Sequence, residues 1–234
     1  MRRLLLLVLA PLVAGAGAPS SVAFSARFTL TQKVGERVDT SSGDLSLTPS
    51  GIFCLDVARP LRQQVRLDRD QARLLYPDRN LVLRGRVRPG QLPPVLDAVL
   101  AGLGDPARTL PRNAVLAERR REGDLLLTRW RIQDAEGRDA GALVIGEGRG
   151  GVRSLEFLSP KGERMRRYQF GERVRVGTAA IPRTVEAEYR LPSGAPLREE
   201  HWSFDEVGPV KDAAALDAGC AQGAAGVEVK ELDW

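Results

Sequence analysis

Residues 51–60 read GIFCLDVARP: Ile52, Phe53, Cys54, Leu55 and Val57 follow one another, Asp56 is the first interruption, and Pro60 is the stop. A strand with one wet face alternates strictly, whereas a strand covered on both faces reads as a near-continuous apolar run. This run lies between the two cases. One explanation is a second face covered by something other than protein. Period two places Phe53, Leu55 and Val57 on one face and Ile52 and Cys54 on the other, and leaves open which face is inside.

Outward from this run the period-two pattern continues. Ser21–Lys33 (SVAFSARFTLTQK) alternates around Phe24, Ala26, Phe28 and Leu30, and after a turn at Gly35 the residues Leu45 and Leu47 share a face of Asp44–Thr48. Val65 and Leu67, Leu74–Tyr76 and Leu81–Val87 follow at short spacing. Beyond residue 120 come Asp124–Gln133, Ala142–Ile145, Val152–Leu158, Arg166–Phe170, Thr184–Leu191 and Glu200–Phe204, separated by Gly-containing turns. The pattern predicts hairpin-connected strands in antiparallel order, because no connection is long enough for a parallel crossover. One segment breaks the period. Leu92, Val95, Leu96, Val99, Leu100 and Leu103 fall at the spacing of an amphipathic helix, with Pro93 and Pro94 suited to its first turn and Gly104-Asp105-Pro106 to its stop. Asp212–Ala225 reads as a short helix or a loose tail, and Val227–Val229 as a last short run.

Arg2 and Arg3, the apolar run Leu4–Val13 and the small residues 14–18 form a secretory signal peptide, too short to span a bilayer. Ala16, Ala18 and Ala23 are candidate cleavage points, Ala16 fitting the small-residue rule best with Ala14 before it. The expected organisation is a leader over 1–18, one domain over 19–210 and a C-terminal tail over 211–234, with no cysteine placed for a lipid anchor. Losing Arg2 and Arg3 lowers the formal net charge from +5 to +3. Glu118–Glu122 (ERRRE) interleaves its arginines with acids and reads as a solvated strand end or loop, so no nucleic-acid partner is expected. Two cysteines in an exported chain predict one disulfide, Cys54 to Cys220, tying the tail to the domain.

Catalytic signals are weak. Gly146–Gly151 (GEGRGG) opens a strand, where a phosphate-cradling loop opens a helix, and reads as a hairpin. His201 is the only histidine and lies in a plain strand beginning, EEHW. Glu186 and Glu188 share one strand face and read as a polar outer surface. Neither an enzyme nor a metal or other cofactor is expected.

The order of FSARFTLTQK (24–33), SGDL (42–45), GIF (51–53) with DVARP (56–60), and LLYPDRN (74–80) resembles the first half of the LolA-type periplasmic lipoprotein carriers. LEFLSPKGERMRRY (155–168) and the Ile181-Pro182 and His201–Phe204 stretches resemble the second half more loosely. The resemblance implies a mainly β fold, a strongly curved antiparallel sheet forming an incomplete β-barrel with a helical cover over its concave face. It also implies a periplasmic, monomeric carrier for the acyl chains of a lipoprotein or another lipid, loaded by an inner-membrane ABC transporter and unloaded to an outer-membrane acceptor. Phe28, Leu30, Leu45, Leu47, Phe53, Leu55, Val57, Leu74 and Tyr76 would then line the lipid cavity, with Leu96, Val99, Leu100 and Leu103 as its cover. Thr48 stands where those carriers hold their lid with an arginine, so that role is not carried over. The alternative is a non-catalytic exported interaction or envelope-sensor domain on the same fold.

Overall fold

The computed structural model describes residues 23–68, 71–86, 110, 113–191, 193–220 and 228–232. The first half of the chain is a meander of β1 (Phe24–Val34), β2 (Arg37–Leu47), β3 (Phe53–Arg59), β4 (Gln63–Asp68), β5 (Gln71–Tyr76) and β6 (Leu81–Arg86). A second meander holds β7 (Ala114–Glu122), β8 (Leu125–Gln133), β9 (Asp139–Gly148), β10 (Gly151–Leu158) and β11 (Arg164–Phe170). The hairpin β12 (Arg173–Val176) and β13 (Ala179–Pro182) leads into β14 (Thr184–Arg190) and β15 (Pro196–Gly208). A short helix, α1 (Ala213–Gly219), and a final strand, β16 (Glu228–Leu232), follow.

All strands but β12 and β13 join one 14-stranded sheet, ordered β16-β6-β5-β4-β3-β2-β1-β15-β14-β11-β10-β9-β8-β7. The two meanders are welded where β15 returns antiparallel to β1, pairing Phe28 with Phe204 and Leu30 with Trp202. One face of this sheet carries a continuous buried cluster that includes Phe24, Phe28, Leu45, Phe53, Leu143, Ile145, Leu155, Tyr168, Val185, Trp202 and Phe204. Among the described residues the only strands stacked against that face are the β12–β13 hairpin, which adds Val176, Ala179 and Ile181. A right-handed twist accumulated over so many strands curls an open sheet, and curling is how a single layer buries its own apolar face. The result is a curved sheet that is not closed, with β16 and β7 at its two edges.

The register settles the question left open by GIFCLDVARP. Phe53 pairs with Leu47 and Leu67, and Leu55 with Leu45 and Val65, so Phe53, Leu55 and Val57 belong to the concave, cored face. Ile52 and Cys54 are buried too, and Cys54 is bonded from the convex face to Cys220 at the end of α1. Cys220 also packs with Leu75 and Val82, a small apolar cluster separate from the main core. The apolar run is therefore covered on both sides, by the core on one and by the C-terminal segment on the other.

Three expectations are corrected. The only α-helix among the described residues, α1, lies on the convex side, so the expected helical cover of the concave face has no support there; the predicted helix over 92–103 lies outside the described residues. The expected all-antiparallel order fails at β16, which pairs parallel to β6 with Val229 opposite Val82. That crossover needs a long return, and the whole second half of the chain supplies it. Residues 114–122 form a full edge strand, where the sequence suggested no more than a solvated strand end or loop for part of them; almost every residue is exposed, so apolar alternation has no core to answer to.

Gly43 sits at a slip in the β2–β3 register, where Ser42 faces Arg59 and Gly43 faces Val57. A Cβ at this position would run into the Asp56 carbonyl oxygen, a backbone atom that cannot turn aside. Gly43→Ala is expected to cost about 1–3 kcal/mol, as overpacking does, read as a lower midpoint in urea unfolding.

Candidate lipid-binding face

The concave face is built by parity. Ala26, Leu45, Leu55, Val65, Leu74 and Leu83 stand opposite one another in turn across β1 to β6, an unbroken apolar row six strands wide. Its exposure is graded: Ala26 and Leu45 are 4% and 1% exposed, whereas Leu55, Val65, Leu74 and Leu83 are half-buried. The sheet thus passes from closed core into an apolar surface that protein covers only in part. Such a surface costs free energy in water, roughly 25 cal/mol for each Å² of apolar area left uncovered.

Of the residues assigned to this face from sequence, Phe28, Leu45, Phe53 and Val57 are core, and Leu30, Leu47 and Leu55 are partly buried against it. Leu74 and Tyr76 are half-buried at the β5 end, on the same face by register but outside the packed cluster. Leu96, Val99, Leu100 and Leu103 lie outside the described residues. Thr48 is buried beneath the β2–β3 turn, where its hydroxyl accepts from the Ile52 amide at 3.1 Å and meets the Ser50 hydroxyl at 2.7 Å. It holds a turn, which is work for a short hydroxyl and not for an arginine.

A buried polar group was not anticipated. Arg198 and Glu200 follow the same parity as Trp202 and Phe204 on β15, so they too enter the concave face. Glu200, 8% exposed, accepts from Trp202 Nε1 at 3.1 Å and from the Tyr189 hydroxyl at 3.3 Å, and pairs with Arg198 at 3.1 Å. Arg198 lies over the Tyr189 ring, 4.2 Å from its centre. Burial, with the neighbouring Tyr168 and Glu200, pushes the Tyr189 phenol above its ordinary range, and Arg198 opposes this. The i, i+2 spacing to Trp202 is the signal that could have found Arg198 and Glu200. On β8, Thr128 is 3% exposed and its hydroxyl has no partner among the described residues.

The convex face carries the opposite chemistry. Glu156, Arg167, Arg164, Glu188 and Arg190 form a chain of ion pairs across β10, β11 and β14, with separations of 3.3–3.9 Å. His201 is exposed there beside Glu186, its Nδ1 3.9 Å from Oε1. Both carboxylates of the sequence-level pair thus answer to basic neighbours on a wet surface. GEGRGG closes the β9–β10 hairpin. No group of three or more His, Cys, Asp or Glu side chains able to hold a metal occurs among the described residues.

Neither a family model nor a curated sequence matches the chain. Solved structures do. A LolA superfamily protein from Nitrosomonas europaea superposes with a TM-score of 0.55 at 10% identity, over 82% of this chain and 88% of that one. A DUF1329 family protein from Desulfovibrio piger gives 0.58 at 10% identity, over 85% and 90%. A domain assigned to outer membrane lipoprotein sorting, from Vibrio parahaemolyticus, gives 0.53 at 10% identity, over 81% and 86%. At this sequence distance the chain shares with these proteins the fold alone.

Because the Tyr189 phenol is held neutral in the folded state, its contribution to stability is present in full below the ordinary tyrosine value, about pH 10, and is lost as the pH rises from there. Stability measured by urea unfolding should fall above about pH 10, and Tyr189→Phe should flatten that fall while costing about 1 kcal/mol at neutral pH through the lost hydrogen bond to Glu200.

Proposed function

We propose that the protein is an exported, periplasmic carrier whose concave face receives the acyl chains of a lipoprotein or another lipid. The observation that carries this is the row Ala26–Leu45–Leu55–Val65–Leu74–Leu83, which runs from closed core to half-covered apolar surface without a polar interruption. An acyl chain laid on such a surface gains about 0.8 kcal/mol for each buried CH₂, on the order of ten kcal/mol for a long chain. A face of this kind left permanently bare favours aggregation, so the proposal includes a mobile cover, with Leu96, Val99, Leu100 and Leu103 as its apolar stripe. The fold shared with the Nitrosomonas and Vibrio proteins supports the reading, as do the leader sequence and the Cys54–Cys220 bond, which suits an oxidising compartment. An inner-membrane ABC transporter would load the carrier and an outer-membrane acceptor would receive the cargo.

The second reading is a non-catalytic interaction or sensor domain. The β7 edge favours it, since among the described residues no strand pairs with its outer side, and this nine-residue strand exposes Val115 and Leu116 beside backbone a partner strand could take up.

Leu74→Glu separates carriage from folding, because Leu74 is only half-buried and lies outside the packed cluster. Uptake of a fluorescent fatty acid should be saturable in the parent protein and fall at least tenfold in this variant, with far-UV circular dichroism unchanged. Equal uptake in both proteins would remove the concave row from the binding site.

A further inference from the structure

Strand β7 sorts its charges by face. Glu118, Arg120 and Glu122 stand on the convex side, opposite Arg129, Leu127 and Leu125 of β8, and answer one another: Arg120 lies 3.9 Å from Glu118 and 3.4 Å from Glu122. Arg119 and Arg121 stand on the concave side, opposite Thr128 and Leu126. Strand β8 fixes that face, since Trp130 packs on the core and Thr128 pairs with the buried Ile145 of β9. Both concave arginines are exposed, and neither has a hydrogen bond or an ion pair among the described residues. Two residues apart on one strand, they stand about 7 Å from each other, like charges with no anion between them. One carboxylate shares the face, Glu147 of β9, opposite Leu126. It lies two strand spacings, about 10 Å, from Arg121 and forms no ion pair with it.

A separate observation points to a ligand. Thr128 is 3% exposed, and its hydroxyl oxygen is a buried polar atom with no partner among the described residues. Buried hydroxyls are ordinarily satisfied, and an unpaired one carries a desolvation cost that a valine of the same shape would not. Thr128 stands directly opposite Arg119, where the side chains of an antiparallel pair lie about 5 Å apart at Cβ. Two guanidinium groups and one orphaned hydroxyl are thus gathered on the same face of a single strand pair, at the edge of the sheet.

We propose that this edge of the concave face binds a phosphate group. Each guanidinium presents a fork of N–H donors matched to two phosphate oxygens, and the Thr128 hydroxyl supplies one more donor from the floor. The phosphate brings the negative charge that Arg119 and Arg121 lack on their own face. It belongs either to the headgroup of the cargo lipid or to a free phosphate. The first source rests on the carrier reading and narrows its cargo to an anionic phospholipid, because the site and the apolar row share the concave face; the second source does not depend on that reading.

Isothermal titration of the delipidated protein at low ionic strength tests it with three probes: dihexanoylphosphatidate, the uncharged dihexanoylglycerol and inorganic phosphate. The phosphatidate is expected to bind at least tenfold tighter than dihexanoylglycerol, an advantage that shrinks as salt is added. Arg119→Gln with Arg121→Gln should remove the advantage and leave dihexanoylglycerol binding unchanged, with circular dichroism as the folding control; both side chains are exposed, and their removal breaks no contact. Arg120→Gln takes a charge from the other face of the same strand and should change nothing. Thr128→Val should weaken phosphatidate binding severalfold while the thermal midpoint holds or rises, whereas a hydroxyl with a purely structural role would lower the midpoint and spare binding. A preference for the phosphatidate over dihexanoylglycerol assigns the site to a lipid headgroup. Saturable binding of inorganic phosphate, lost in the double variant and without a preference between the lipids, assigns it to free phosphate. Phosphate binding with no uptake of either lipid overturns the carrier reading and keeps the site. Equal binding of both lipids with no phosphate binding keeps the carrier reading and overturns the site, as does an equal loss in Arg120→Gln. Binding of none of the three probes overturns both.

Discussion

Everything in this molecule follows from one constraint: a very wide sheet has a single apolar face and, among the described residues, no second layer large enough to cover it. The hydrophobic effect then acts on curvature. Side chains from β1, β3, β9, β11, β14 and β15 can share one cluster only if the sheet bends until strands distant in its order approach each other. At the weld between β1 and β15, Phe28, Trp202 and Phe204 pack together, with ring centres 5.5 and 6.2 Å apart. Moving outward along β3 to β6 the packing thins, and the same apolar parity continues as partly covered surface. Core and candidate binding face are one surface at different depths.

The convex face is organised by the opposite requirement, to stay wet. Its ion-pair chain over β10, β11 and β14 is half-exposed and contributes little to stability, as surface pairs generally do. Its value is in keeping the sheet from sticking by its back. The exception is the strip beneath the C-terminal segment, where Cys220, Leu75 and Val82 give a small apolar contact and β16 pairs with the β6 edge. The disulfide, between residues 166 apart in sequence, fastens this segment to β3.

Much of this was legible from residues alone. GIFCLDVARP lay between one covered face and two, and the cover on its second face is the C-terminal segment, not something other than protein. Phe24, Phe28 and Leu45 announced themselves by alternation, because a half-buried strand leaves no freedom in which side chains turn inward. Cys54 and Cys220 were paired by arithmetic. The face that each parity occupies was not legible, since period two is symmetric and only register against Leu45 and Leu67 breaks the tie. β7 escaped because an edge strand with both faces in water carries charge in place of periodicity. Glu200 escaped for a related reason: a buried carboxylate looks like any surface glutamate until Trp202, Tyr189 and Arg198 are seen to converge on it. The parallel pairing of β16 with β6 rests on a return through most of the chain, which no local pattern encodes.

The central claim is that the concave face completes itself with acyl chains. Native mass spectrometry of the protein purified from an expressing envelope, without added detergent, reads this directly. The account predicts adducts with the mass of a lipid or acylated polypeptide, released when the concave row is disrupted. A protein that is consistently empty, and that takes up no lipid when offered it, would contradict the account and leave the concave face as ordinary core.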